Sequence, residues 1–289
     1  MTLSTETNSQ DRINHILTER WIGYPKALEV LQTMEYLLAH PKTYRPQSML
    51  LVAKTGNGKS LLLHRFFDAH KPEVRPETTH VKIPILYIQA PPTPNEKAFY
   101  SAILSALNAP FHTYATATQL HYQVIRILKK VETDILIIDE IHHILAGSYL
   151  SQRAFLNLIK YISNELQLVI IGAGVQEAYS AISTDGQLAS RFEPAALPTW
   201  KLDADYYRLL KSYEAMLPLH EKSMLTNEET AIKILSMSGG TIGEISNILK
   251  KAAVKAIQTG YERIDLPMLN RIGYVSPAAR QKQYEEMPA

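Results

Sequence analysis

The segment Ala53-Lys54-Thr55-Gly56-Asn57-Gly58-Lys59-Ser60 constrains this chain more than any other. It lies between a short apolar run, Ser48 to Ala53 (SMLLVA), and a helical pattern reading LLLHRFFDAH. A strand, a glycine-rich turn and a helix in that order make a phosphate-binding loop. Glycines let backbone N–H groups turn inward around phosphate oxygens, and the helix adds its positive N-terminal end. Thr55, Gly56, Asn57 and Gly58 form the cradle, Lys59 reaches the terminal phosphates, and the Ser60 hydroxyl ligates magnesium. Ala53 stands where the usual pattern has its first glycine, a small residue that changes the reading little.

A second apolar run, Ile135-Leu136-Ile137-Ile138, ends in the carboxylates Asp139 and Glu140. Taken alone, such a pair could simply cap the turn after a buried strand. Beside a phosphate loop it has a chemical use: Asp139 holds Mg2+ through water or with Ser60, and Glu140 orients and polarises an attacking water. ATP and Mg2+ are therefore the expected cofactors, and ATP hydrolysis the expected reaction. His142 and His143 come directly after. Adjacent histidines do not easily share a metal from one helix, so a solvent-facing or packing role is expected of both.

The rest of the chain supplies a frame for these motifs. Helical patterns are expected at Pro25 to Ala39, Ala98 to Leu107, Gln119 to Lys130 and Gln152 to Asn164. Strands are expected at Lys82 to Gln89, Asp134 to Asp139 and Gln167 to Gly172. Short apolar strands alternating with helices predict an α/β fold with a parallel sheet covered on both faces. From Asp203 to Gly273 only helical patterns occur, with Ile242, Ile245, Leu249, Ala252 and Ala256 forming one apolar stripe. The expected layout is an N-terminal segment 1–24, an α/β core 25–200, a small helical lid 201–273 and a flexible tail 274–289. The first dozen residues are polar and read as loose. With no cysteine, no signal-like start and no long apolar stretch, a cytoplasmic protein without membrane partners is expected. A net charge of +2 neither demands nor forbids nucleic acid.

The order of these pieces resembles the TniB family. A phosphate loop and DE strand are succeeded by QRAFLNLIKYISNEL, a strand ending IGAG, and QLASRFEPAALPTW. RWIGYPKA near the start and GGTIGEISNILKKAA in the lid extend the likeness over residues 10 to 272. Family members are AAA+ ATPases of bacterial transposons, related to the TnsC transposition regulators. The resemblance implies a P-loop AAA+ core that forms rings or filaments on double-stranded target DNA in the ATP state. It further implies recruitment of a DDE-type transposase, with a target-selection protein as a further partner, and disassembly on hydrolysis.

Carried over by position, Arg191 in SRF matches an arginine finger that reaches a neighbouring subunit's ATP; the alternative is a surface salt bridge. Trp21, Ile22 and Tyr24 match a segment that packs near the adenine, with plain core packing as the other reading. The resemblance places DNA contacts on Lys97 and Thr116, against the alternative of a solvated lysine and a polar turn. Two departures imply slow hydrolysis: Ala173 where a polar sensor often stands, and Glu244 where a second sensing arginine often stands. Two other functions compete with this one. One is a nucleotide-gated adaptor or loader acting on a protein partner such as a helicase. The other is a metabolic NTPase or kinase, disfavoured because no acceptor-substrate motif is evident.

Overall fold

Apolar runs of strand length give way to helices alone near residue 200, and the chain divides close to that point. One unit is Lys26–Leu197; the other combines described residues from both sides of it. The computed structural model describes residues 8–74, 81–276, 279–280 and 284.

Helix α1 (Ser9–Leu17) belongs to the second, helical unit and corrects the expectation of a loose N-terminus from Ser9 onward. Asn8 caps it by accepting from Gln10 N at 3.3 Å, and Arg12 and Ile16 are buried. Arg12 donates through Nε to the Pro218 carbonyl at 2.8 Å and pairs with Glu262, Nη1 lying 3.0 Å from Oε1. That guanidinium, against the opposing effect of burial, holds Glu262 below the usual carboxylate range. A segment with one buried aliphatic residue and one buried arginine has too little apolar pattern to announce a helix.

The α/β unit begins with α2 (Pro25–Ala39), whose Ala27, Val30, Met34 and Leu37 turn inward. Strand β1 (Ser48–Ala53) leads through the phosphate loop into α3 (Lys59–Ala69). A small antiparallel pair, β2 (Glu73–Val74) with β3 (Val81–Lys82), precedes β4 (Ile85–Gln89). Helices α4 (Glu96–Ala106) and α5 (Ala117–Lys130) carry the chain to β5 (Ile135–Asp139). A 3-10 turn, Ile141–Ala146, and α6 (Tyr149–Leu166) come next, then β6 (Val169–Gly174). Two short helices, α7 (Gln176–Ser183) and α8 (Gly186–Ala189), precede β7 (Phe192–Leu197). The sheet runs β4-β5-β6-β1-β7 with every pairing parallel. All five β5 residues are buried, as expected of a strand covered on both faces.

Some departures from expectation have local reasons. The run expected as one strand from Lys82 breaks at Pro84, which has no N–H for the ladder. Its carbonyl instead accepts from Asp134 N and Ile135 N at 2.9 and 3.0 Å. Helix α6 begins at Tyr149 rather than Gln152 because Ser148 Oγ caps it, accepting from Ser151 N at 3.3 Å. Strand β7 has no counterpart among the strands expected from sequence. Its FEPAAL pattern carries exposed Glu193 and Pro194, tolerable because β7 pairs on one side only, with β1.

In the helical unit, α9 (Ala204–Met216), α10 (Glu228–Ser238), α11 (Ile242–Gln258) and α12 (Leu266–Arg271) share one apolar core with Ile16. The α11 stripe buries Ile245, Leu249, Ala252 and Ala256, with Ile242 partly buried beside it. Gly240 takes φ +73°, and a Cβ there would sit 2.6 Å from the Trp200 carbonyl oxygen. Only glycine permits that approach, in which Trp200 N donates to Gly240 O at 2.7 Å. The tail beyond Ser276 lies mostly outside the described residues. Among the described residues no helix is long and apolar enough to cross a membrane.

Candidate functional site

Strand β1 delivers the phosphate loop to the carboxyl end of the sheet. Gly56 and Gly58 take φ of +72° and +82°, the left-handed region that side chains disfavour. Gly58 is also the N-cap of α3 and has no side chain to cap it, so the helix's first N–H groups stay available to an anion. Asn57 N closes the turn on Lys54 O at 3.2 Å. The buried Asn57 side chain donates to Leu197 O at 2.8 Å, so it anchors the loop to the end of β7.

Lys59 is 6% exposed, and its Nζ folds back to the carbonyls of Ala53 and Lys54 at 3.0 and 3.3 Å. Burial pushes its ammonium pKa down, while the nearby carboxylates of Glu140 and Asp139 pull it up. Ser60 Oγ donates to Asp139 Oδ2 at 2.7 Å, so the start of α3 meets the end of β5. These hard oxygens suit Mg2+, and the glycine cradle with its buried ammonium suits a polyphosphate. The residues present therefore fit both groups.

Asp139 is held by two further donors. Tyr87 on β4 gives its hydroxyl to the same Oδ2 at 2.7 Å, and Glu140 N donates to Oδ1 at 2.8 Å. The Tyr87 ring stacks on His64 of α3, centroids 4.4 Å apart and 29° between planes. Burial, reinforced by the bond to Asp139, raises the phenol above its ordinary value and keeps it a donor. Sequence reasoning missed Tyr87, because in ILYIQ a tyrosine reads as packing. Only the pairing of β4 with β5 reveals its partner.

Glu140 leaves β5 with φ 53° and ψ 35°, a left-handed conformation uncommon for a residue with a long side chain. Its Oε2 lies 3.2 Å from His142 Nε2. His142 Nδ1 is buried with no hydrogen-bond partner among the described residues. His143 Nδ1 is 3.2 Å from the Ala90 carbonyl. The histidine pair was expected to pack or face solvent; both rings instead lie beside Glu140, and one ligand-type atom from each of the three residues falls within 4.8 Å of the others.

Arg191 stands apart from this group. It precedes β7, is half-buried, and its Nη1 donates to Asn164 Oδ1 at 2.6 Å. Ser48 N donates to its carbonyl at 2.9 Å, which fixes Arg191 at the amino end of β1. A six-residue parallel strand spans roughly 20 Å, so Arg191 is not brought to its own chain's Lys59, Asp139 or Glu140. Among the described residues Arg191 makes no ion pair, contrary to a surface salt bridge.

The two DNA candidates share one edge. Exposed Lys97 donates through Nζ to Thr113 O at 2.8 Å, which ties the loop before α4 to the loop before α5. Thr116 is the N-cap of α5: its Oγ1 accepts from Gln119 N at 3.2 Å, and the Gln119 side chain accepts from Thr116 N at 2.9 Å. Its hydroxyl proton remains free for an outside acceptor. Within the helical unit, Ile22 packs on the apolar core, and Tyr24 meets Trp200 edge-on with centroids 4.9 Å apart. Burial pushes the Tyr24 phenol up to about 12. Trp21 is half-buried in the same stretch. Ala173 lies buried on β6 and offers no side-chain donor, and Glu244 accepts from the Tyr274 hydroxyl.

Three comparisons place this geometry among known proteins. No curated protein matches the sequence. Solved structures match its fold. Cdc6p of Pyrobaculum aerophilum superposes with a TM-score of 0.64 at 16% identity, covering 95% of this chain and 74% of its own. The Orc1 protein of Aeropyrum pernix, solved in complex with DNA, gives 0.63 at 16% identity, covering 94% and 69%. A Walker-type ATPase of Pyrococcus abyssi gives 0.57 at 17% identity, covering 89% and 74%. At such identities the likeness speaks to fold: a P-loop core of the AAA+ type with a helical C-terminal region. The model of the bacterial TniB protein matches residues 12–202, a span that holds the phosphate loop, the acidic strand end and Arg191. The chain belongs to the TniB family and is, with it, a P-loop ATPase.

Proposed function

We propose that this protein is an ATP-dependent regulator of transposition that assembles with copies of itself on double-stranded DNA and recruits a DDE-type transposase. One observation carries the reading: the phosphate loop and the arginine stand at opposite ends of the sheet. No chain can complete its own site, so turnover requires a neighbour, and nucleotide state becomes tied to assembly. DNA as the template is supported by family membership, by a DNA-bound protein of the same fold, and by the edge that carries Lys97 and Thr116.

Within each site the chain's own residues divide the work. The backbone of Thr55 to Gly58 and the Lys59 ammonium bind the phosphates. Ser60 and Asp139 would hold Mg2+, which would supply charge neutralisation to the phosphates. Glu140 orients the water and draws on its proton, with the His142 ring beside its carboxylate. Ala173 and Glu244 leave two sensing positions without their usual polar groups, which suits slow, assembly-dependent hydrolysis.

The test is electron microscopy of the purified protein with duplex DNA, comparing a non-hydrolysable ATP analogue with ADP. Rings or filaments on DNA with the analogue alone are expected. Particles that ignore DNA in both states would replace this reading with a protein-directed adaptor or loader.

A second expectation concerns Asp139. Tyr87→Phe deletes one donor to its Oδ2 but leaves the ring to stack on His64. One hydrogen bond contributes about 1 kcal/mol, so the Mg2+ concentration for half-maximal hydrolysis should shift by about fivefold. The melting temperature should move little. An unchanged Mg2+ titration would remove Tyr87 from the site.

A further inference from the structure

The sheet end that carries Arg191 holds a second cation. A cavity of about 690 Å³ opens there, and its lining includes Tyr44, Arg45, Gln47, Asn164, Gln187 and Arg191. No carboxylate lines it among the described residues. Arg45 is exposed and makes no hydrogen bond or ion pair among the described residues. Its backbone position is nonetheless fixed by the next three residues. Pro46 is buried, and Ser48 donates to Arg191 O and stands in register with Phe192. The chain just after Arg45 is thus locked to the strand that Arg191 introduces.

The surrounding groups are arranged for an anion with several acceptor oxygens. The Asn164 side-chain oxygen takes one N–H of Arg191 and fixes the plane of its guanidinium, leaving other donors free. Two guanidiniums and the amides of Gln47 and Gln187 then face a concavity without a competing acid. The Asp185 carboxylate that precedes this turn is already taken up by the backbone N–H groups of Gln187 and Leu188, and by Lys160 at 3.4 Å. The chain's own phosphate loop lies beyond the far end of β1, roughly 20 Å away. Whatever anion enters this cavity comes from another molecule.

We propose that Arg45 acts beside Arg191 as a second arginine on the terminal phosphate of the nucleotide bound by a neighbouring copy of this chain. The assignment rests on the reading of Arg191 as acting in trans. Two planar forks divide the oxygens of one phosphoryl group more completely than one, and the contact disappears when that group leaves as phosphate. Arg45 therefore helps an assembly distinguish ATP from ADP, in addition to stabilising charge during transfer.

The experiment measures ATP hydrolysis against protein concentration for Arg45→Ala, Arg45→Lys and Arg191→Ala, each alone and each mixed with Glu140→Gln subunits. Arg45→Ala should lose roughly tenfold in turnover at assembling concentrations, and Arg191→Ala roughly a hundredfold, with nucleotide binding by dilute protein unchanged. Arg45→Lys keeps the charge without the fork and should fall between Arg45→Ala and the unaltered protein. Mixing either alanine variant with Glu140→Gln should restore turnover, because the second subunit offers intact arginines to the first subunit's intact site. Normal turnover by Arg45→Ala, with Arg191→Ala defective and restored by mixing, would overturn the role of Arg45 and leave the trans reading standing. Normal turnover by Arg191→Ala would overturn the reading beneath it. A loss in Arg45→Ala that mixing does not restore, or a loss of DNA affinity with turnover intact, would also overturn the proposal, the latter by assigning the cavity to a DNA phosphate.

Discussion

Lys59→Ala should abolish nucleotide binding and, with it, every nucleotide-dependent assembly. The ammonium is buried and rests on the carbonyls of Ala53 and Lys54, poised at the mouth of the loop. Each charge-assisted hydrogen bond it forms with a phosphate oxygen contributes about 1.5–3 kcal/mol. Losing two weakens binding by about 10²–10⁴-fold, so a site of micromolar affinity stays almost empty at micromolar nucleotide. Titration of the variant with a fluorescent ATP analogue is the direct measurement. A thermal melt of nucleotide-free protein accompanies it, since the buried Ala53 carbonyl and the Lys54 carbonyl lose a donor and a loss of fold must be distinguished from a loss of binding. A folded variant that binds within about threefold of the unaltered protein would remove Lys59 from the phosphate site.

The sequence made the sheet end legible because its constraints are local. A glycine-rich turn must have glycine where φ is positive, and Gly56 and Gly58 take the left-handed conformation that the motif requires. The apolar run at Ile135 has the composition of a strand buried on both faces, and it lies between β4 and β6 with every residue buried. What the sequence hid is non-local. Tyr87 acquires its partner from strand register, and His142 meets Glu140 only because the chain turns through a left-handed residue. Strand β7 was invisible for a different reason: an edge strand tolerates a glutamate and a proline that would argue against a central one. Arg45 was missed because nothing adjacent to it in sequence hints at Arg191; the link is the pairing of Ser48 with Phe192. The helix at Ser9 was missed because its inward face is an arginine, one buried isoleucine and the partly buried Ile13. The arginine's stabilising partners, Pro218 and Glu262, are distant in the chain.

Glu140→Gln should separate binding from turnover. Glutamine has nearly the same shape, it can stay beside His142, and the left-handed backbone at this position is open to both residues alike. Ser60, Asp139 and Lys59 are untouched, so nucleotide affinity should stay within about twofold. The amide, however, cannot take up a proton from water. Loss of general-base assistance lowers turnover by about 10²–10⁴-fold. Because assembly is set by bound ATP and ended by its hydrolysis in the proposed cycle, DNA-bound oligomers of this variant should persist after excess ADP is added, whereas those of the unaltered protein disperse. Phosphate release and dissociation from labelled duplex, tracked in the same sample, measure both halves of the expectation. Hydrolysis at the unaltered rate would take Glu140 out of the reaction. Blocked hydrolysis with prompt dispersal would keep its chemical role and break the link between turnover and disassembly, so the two failures bear on different steps of the cycle.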